Sequence, residues 1–444
     1  ELTADEHCMG EIFSRIGYQT GYVGKWHLAP WPSLPGLPQL PEDADVTDPR
    51  ILDLLEKRQA MLAAHLSRIT GFEVVNSLLW ANYDELPVKA LRAHNFEWLT
   101  NGALDFLDQV DPDRPFLLYF ASTAVHGPSH DRSILADPTV SPGGRVELRH
   151  DAYPPRSQII EEVKAHTGGK LTHIDTGLLC LDYQVAAIRR KLTERGLDRN
   201  TLILYLSDHG IEPGKATSYL RGTRIPFIAT WLGHPRPAPA TNIIVQIPDI
   251  LPTLWDLATG NAPAPVDDWD GISFAEFLRT GRGAGRRFAY FENGFTRSVY
   301  RDGLHYIAWR YPRSVIEKMR SGELQEAPDH LNTMDNGQAS ITIERLPAYW
   351  DPDQLYVLAE DPYELTNRFD DPRFRDAITS LQADLRAVLD TFRHPFDLDG
   401  DAFQRSAAFD KLKQPRIKRG TGYIHWYRPG MHPWPPADAA RAPR

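Results

Sequence analysis

The chain has 444 residues, 42% hydrophobic and 24% charged, which is the make-up of a globular protein with its own core and a length suited to about two to three domains. Its 49 Lys and Arg against 59 Asp and Glu leave a formal charge of −10, arguing against nucleic acid or an anionic membrane as main partner, because both need a basic face. No apolar run reaches transmembrane length, and Cys8 and Cys180 make neither a disulfide framework nor a metal-ligand spacing, so compartment and oligomeric state stay open.

In chain order, "TADEHCMGEIFSRIG" opens with a capping box, Thr3 to Glu6. Met9, Ile12, Phe13 and Ile16 then keep helical spacing until Gly17. "TGYVGKW" reads as a buried strand, residues 30–70 as a Pro-rich loop and a helix, and "HNFEWLTNGALDFLDQV" as a second helix. "RPFLLYFAST" is a strand ending at "AVHGPSH", and the polar stretch 127–170 reads as a long surface excursion. Leu178, Leu181, Val185, Ile188 and Leu192 stripe the next helix, which Gly196 ends. "TLILYLS" is apolar on both faces, as a central parallel strand should be, "IPFIATW" is another buried strand, and "PDILPTLWDLATG" is a helix.

Alternating strands and helices predict an α/β layered domain over residues 1–285. Beyond it, "SVYRDGLHYIAW" and "DQLYVLAEDP" alternate in β fashion and "FRDAITSLQADLRAVLDTF" is amphipathic, predicting a smaller C-terminal α+β domain over 286–411 and an extended tail over 412–444.

Open α/β sheets bind ligands beyond the carboxyl ends of their strands. Polar clusters follow the apolar strands here: Lys25 with His27, then His126, then Asp208 with His209, and Lys215 in the loop before the next strand. In a strand, residues i and i+2 share a face, which predicts that Lys25 and His27 project together. Taken singly, each cluster also reads as a solvated strand end, a satisfied histidine or, for Asp208-His209-Gly210, a turn. Together, Lys25, His27, His126 and Lys215 suit a tetrahedral anion, the lysines as charges and the histidines as donors or general acids. Asp208 suits a hard divalent cation that would neutralise further anionic oxygens. The chemistry expected is sulfuryl or phosphoryl transfer or hydrolysis.

With these residues in view, "GYQTGYVGKWHL" is similar to the second signature of the sulfatase family, in the alkaline-phosphatase-like superfamily. "FLLYFASTAVHGP", "LDYQVAAIRRKLTERGLDRNTLILYLSDHG", "GKATSYLRGTRIPFIATWLG", "IPDILPTLWDLATG" and "QLYVLAEDPYELTN" follow in the family's order, and the resemblance covers most of residues 5–395. It implies a mixed sheet between helix layers with a small C-terminal sheet and helix beside it. It implies that Lys25, His126 and Lys215 bind the sulfate, that His27 contacts the nucleophile, and that His126 is a candidate acid for the leaving group. Asp208 and His209 match a calcium-binding pair, His209 less securely because some relatives carry Asn there.

One departure stands out. The family attacks with a formylglycine made from C-x-[P/A]-x-R, and neither Cys8 in "CMGEIF" nor Cys180 in "CLDYQ" lies in that motif. The expectation is a chain truncated at its N-terminus, with the nucleophile and further metal ligands upstream of Glu1, and inactive alone. The expected substrate is a sulfated small molecule or glycan, cleaved at an ester or N-sulfate. Aromatic residues such as Trp426, Tyr427 and Trp434 either frame a sugar or simply pack. The alternatives are a phosphonate or phosphate ester hydrolase of the same superfamily and a non-catalytic relative that binds sulfated glycans.

Overall fold

A computed structural model describes residues 6–210, 214–234, 243–260, 269–283, 285–328, 346–392, 396–400 and 402–413. Thr3 of the expected capping box and the C-terminal aromatics lie outside them. The chain divides into two compact units, one reaching to Thr201 and including Trp231–His234, the other made of Leu202–Thr230 and the residues from Pro235 onward.

The first unit begins with α1 (Met9–Ser14), β1 (Gln19–Lys25), α2 (Pro49–Thr70), β2 (Val74–Leu79), α3 (Phe96–Gln109) and β3 (Phe116–Ala121). Local chemistry explains the helix ends. The Asp48 carboxylate accepts from Arg50 N–H at the start of α2, Gly71 closes it at φ 73°, and Asn95 accepts from Trp98 N–H at the start of α3. The three strands are parallel in the order β2-β1-β3. Gly21 lies opposite both Val74 and Leu118, and Lys25 opposite Leu79. The register slips once, between Val23 and Gly24, where Ser77 adopts φ 45° and its hydroxyl donates to Trp98 O at 2.7 Å. Beside it, Gly24 has φ 104°, and a Cβ there would come within 2.0 Å of Ala121 O, so close approach of β3 demands glycine.

The 127–170 excursion contains more structure than its polarity suggested: α4 (His130–Ser133), the short hairpin β4 (Val140–Ser141) and β5 (Gly144–Arg145), and α5 (Arg156–His166). After it comes α6 (His173–Glu194), which buries Leu192 of the predicted stripe and leaves Leu181, Val185 and Ile188 half-buried, but turns a different set of residues fully inward. Leu178 is 48% exposed, whereas Thr176, Gly177, Cys180, Gln184 and Ala187 are buried. These small side chains let the helix approach its neighbours closely, and Gln184 is satisfied by Ser122 Oγ, 2.8 Å from its Oε1, and by Phe96 O, 3.3 Å from its Nε2.

The second unit holds most of the strand pair β6 (Thr201–Leu206) and β7 (Phe227–Leu232), with α7 (Leu220–Thr223) between them in sequence. Both strands are at best half-buried, Ile228 being 57% exposed. The apolar runs had predicted strands covered on both faces, but among the described residues β6 and β7 pair only with each other. Helices α8 (Ile250–Thr259) and α9 (Ala275–Thr280) follow, then β8 (Ala289–Asn293), β9 (Thr296–Arg301), β10 (Leu304–Trp309), α10 (Arg313–Ser321), β11 (Asp353–Val357) and α11 (Arg375–Leu389). The last four strands form an antiparallel sheet ordered β11-β10-β9-β8. Alternation splits β10 as expected of a strand. Tyr306 and Ala308 pack with Ile378, Leu381 and Leu385 of α11, while Ile307 and Trp309 join Tyr219, Tyr349 and Tyr356.

Candidate active site

Three of the predicted residues, Lys25, His27 and His126, belong to the first unit, and the other three, Asp208, His209 and Lys215, to the second. Lys25 is the last residue of β1, and the Tyr22 hydroxyl donates to its carbonyl. His27 departs from expectation. The strand ends at Lys25, and Trp26 and His27 donate successively to Leu79 O (2.8 Å) and Trp80 O (2.9 Å), so the pleat no longer holds. His27 has φ 53° and lies two residues beyond the strand's end, so the argument that i and i+2 share a face does not reach it. Its exposed Nε2 lies 3.6 Å from Glu85 Oε1, and Glu85 is itself held by Asn82, whose Nδ2 donates to it at 2.6 Å.

His126 follows β3, which pairs directly with β1, so Lys25 and His126 both leave the carboxyl edge of one parallel sheet. Its N–H donates to Thr123 O at 3.1 Å, and its Nδ1 lies 2.8 Å from Gly127 O. A carbonyl only accepts, so Nδ1 carries a hydrogen and Nε2 is the nitrogen that gains or loses the second proton.

In the second unit, Asp208 and His209 stand just beyond β6. The Asp208 carboxylate is 82% exposed and accepts from His209 N–H at 3.0 Å. His209 Nδ1 donates to Gly210 O at 2.7 Å, which leaves its Nε2 lone pair 3.5 Å from Asp208 Oδ2. Two lone-pair donors at that spacing fit adjacent positions around one cation, with the Nδ1–H bond fixing the ring as metal-bound imidazoles require. Calcium prefers oxygen, so Asp208 is the better half of the pair, and no third His, Cys, Asp or Glu joins them among the described residues.

Lys215 sits in a segment fastened at many points. Gly210 N–H donates to Gly222 O at 2.8 Å, and a Cβ on Gly222 would come within 1.8 Å of Gly214 O, so the chain crosses itself where only glycine fits. The small sheet secures the rest. Glu364 accepts from Leu220 N–H at 2.7 Å and pairs with buried His305, Ser218 bonds Thr296 at 2.7 Å, and the Tyr219 hydroxyl donates to Gln354 at 2.7 Å. The sequence placed Lys215 but not these supports, which come from β9, β11 and the loop after β11, far along the chain.

Burial disfavours the thiolate form of both cysteines. Cys180 is fully buried and burial pushes its thiol up to about 12, and burial likewise raises Cys8. Sequence reasoning also missed His94, just before α3, which contacts the loop of His126 at three points. A lone histidine before a helix carries no sequence signal for such a role.

An α/β chain with a parallel sheet, a small antiparallel sheet near its C-terminus, and lysines and histidines after the strands has the groups that suit an anionic ligand. The Sulfatase family model matches residues 1–260, and the chain belongs to that family. It is 21% identical over 457 residues to an arylsulfatase of Clostridium perfringens, covering 93% of this chain and 83% of that protein. It is 24% identical over 293 residues to an ulvan-active sulfatase of Formosa agariphila, covering 63% of this chain but only about half, 51%, of that one. Among solved structures, a chain from work on the metabolism of multiple glycosaminoglycans by Bacteroides thetaiotaomicron shares the fold at a TM-score of 0.54, with 18% identity and coverage of 87% and 82%. No helix among the described residues is long and apolar enough to cross a membrane.

Proposed function

We propose that this chain supplies the sulfate-binding and metal-binding residues of a sulfuric ester hydrolase acting on a sulfated sugar, at an ester or N-sulfate. The observation that carries the reading is the placement of Lys25 and His126 at the carboxyl ends of paired parallel strands, where open α/β sheets receive ligands. Family membership supports it, and the ulvan-active and glycosaminoglycan-related relatives favour a glycan.

In this reading, Lys25 and Lys215 neutralise sulfate oxygens, and His126, oriented through its Nδ1–H bond to Gly127 O, passes a proton from Nε2 to the leaving oxygen or nitrogen. His27 contacts the attacking group. Asp208 and His209 would hold a divalent cation, most simply calcium, which would supply positive charge for an anionic substrate. The attacking group is a formylglycine from outside the 444 residues, since Cys8 and Cys180 lie in no suitable motif and burial disfavours both thiolates.

The test uses the protein with its native N-terminus, first mapped by mass for an aldehyde-bearing C-x-[P/A]-x-R peptide, and assayed on an aryl sulfate, an aryl phosphate and sulfated disaccharides. Lys25→Ala and Lys215→Ala should each lower sulfate-ester kcat/KM by about 100-fold, the usual loss for one preorganised charge contact. Full rates in both variants would sink the assignment, and faster phosphate turnover would favour a phosphate ester hydrolase. For the metal, a chelator should lower the melting temperature of the parent protein but not that of Asp208→Ala. Equal chelator shifts in the two would remove Asp208 from the ligand set.

A further inference from the structure

We propose that His94 is the positioning residue for His126, setting the direction of its ring through the intervening backbone. The proposal rests on the sulfatase reading for its functional consequence, and on geometry within one unit for its structure. His94 is 1% exposed. Its Nε2 lies 3.0 Å from His126 O and 3.0 Å from Pro128 O. Both atoms only accept, so Nε2 carries the hydrogen and shares it between them. In the neutral ring Nδ1 is then an acceptor, and the Thr123 hydroxyl donates to it at 2.8 Å. One imidazole therefore holds residues 123, 126 and 128 of a single segment.

The consequence lies in what those bonds enclose. The Gly127 carbonyl that takes the Nδ1 hydrogen of His126 sits between the two carbonyls His94 holds. A shift of that peptide turns the His126 ring and moves its Nε2. His94 is well suited as a reference point because it is buried and packed against several fixed neighbours. It precedes Asn95, whose side chain caps α3 at Trp98 N–H (2.8 Å) and donates to Pro138 O (3.0 Å) and Val140 O (2.9 Å). Its ring stacks on Phe96 at 5.5 Å and 4°, meets Tyr83 edge-on at 4.8 Å, and lies 4.1 Å from the buried ring of His130. Burial holds His94 neutral, with a pKa lowered to about 3, so the donor pattern persists at physiological pH.

A ring that merely fills space would tolerate an apolar replacement, and this separates the two roles. His94→Leu keeps bulk and loses all three bonds. His94→Gln keeps an amide N–H for the carbonyls and an amide oxygen for Thr123. Thr123→Val removes only the hydroxyl. Each is made in the protein with its native N-terminus and read by steady-state kinetics, by the pH profile of kcat, and by hydrogen exchange over residues 123–130. His94→Leu should lower kcat about 10- to 100-fold with little change in KM, the scale for a misplaced catalytic group, and speed exchange in that segment. It should also shift the limb of the pH profile that reports His126. His94→Gln should restore most of kcat and protection, with Thr123→Val between.

Unchanged kcat per folded molecule in His94→Leu overturns the proposal, as does failure of His94→Gln to recover either quantity. Should His94→Leu not fold, Thr123→Val decides, and parent-like kcat and exchange in it overturn the proposal. A parent protein that turns over no sulfate ester overturns the sulfatase reading instead. In that case unchanged exchange in the variants overturns the His94 clamp, and faster exchange upholds it.

Discussion

Replacing Arg156 with methionine should destabilise the first unit by about 3–5 kcal/mol, the range for removing one partner of a buried ion pair. Arg156 and Glu97 are both nearly inaccessible, and the guanidinium meets the carboxylate with two bonds, Nε to Oε1 at 2.7 Å and an Nη to Oε2 at 2.8 Å. The other Nη donates to Ser133 O at 2.9 Å and Ala136 O at 2.8 Å, the carbonyls just after and at the end of α4. The variant strands a carboxylate in the core and takes the guanidinium donor from two carbonyls of the excursion that follows His126. Urea denaturation at pH 7.5 measures the loss. The double variant Arg156→Met, Glu97→Gln should regain part of it, because the residual buried charge is gone. A single variant within about 1 kcal/mol of the parent, the level of an exposed pair, would contradict this account.

The second large effect is acid sensitivity. His94 and His130 are fully buried, their rings 4.1 Å apart, and both Nδ1 and Nε2 of His130 lack a hydrogen-bond partner. Burial is the main cause that lowers both groups, His94 to about 3 and His130 further, and the His94 ring adds to the penalty on a charged His130. His173, stacked on His130 at 4.6 Å, is lowered for the same first cause.

A lowered histidine is neutral in the native state while its unfolded counterpart, with a pKa near 6.5, takes up a proton. Between about 6.5 and 3 the unfolded chain therefore binds more protons. Stability is complete above that window and falls as pH drops through it, by about 1.4 kcal/mol per pH unit for each fully buried ring well below 6.5. Exposed carboxylates with lowered pKa values, such as Asp371 at about 2, lose their contribution only in a more acidic range. Urea midpoints at pH 7.5, 6.0 and 5.0 should decline steeply, and His94→Gln should flatten the slope by its own share. Equal midpoints at all three values would contradict the burial of neutral rings.

Much of the candidate site was legible because it depends on local, repeating physics. The apolar run ending at Lys25 is β1, the run ending before Ser122 is β3, and Asp208 and His209 follow β6 directly. Gly71 and Gly260 end helices in the left-handed region, and Asp302-Gly303 turns β9 into β10. Motif order added the family, which no single lysine or histidine could have indicated.

The misses share one cause, which is that hydropathy ranks side chains singly while packing chooses among faces. α6 buries Gly177, Ala187 and Gln184 while Leu178 of its stripe stays exposed, because close approach and satisfied hydrogen bonds decide the face there. His27 leaves the pleat because Trp26 and His27 donate to successive carbonyls of the neighbouring strand and its extension, a pattern that becomes visible only once the strands are paired.

The sequence by itself determined the α/β class, the order of strands and helices, the family, and which lysines and histidines are proposed to handle an anion. These follow from periodicity, turn chemistry and motif spacing, each confined to a few neighbouring residues. Only the tertiary structure decided what holds those residues. His94 beneath the loop of His126, Glu85 beside His27, and Glu364 with His305 behind the segment of Lys215 join positions 32 to 144 residues apart, taking His94–His126, His27–Glu85 and Leu220–Glu364 as the pairs. Such partners are chosen by packing and by the need to satisfy every buried polar group, and local sequence records neither.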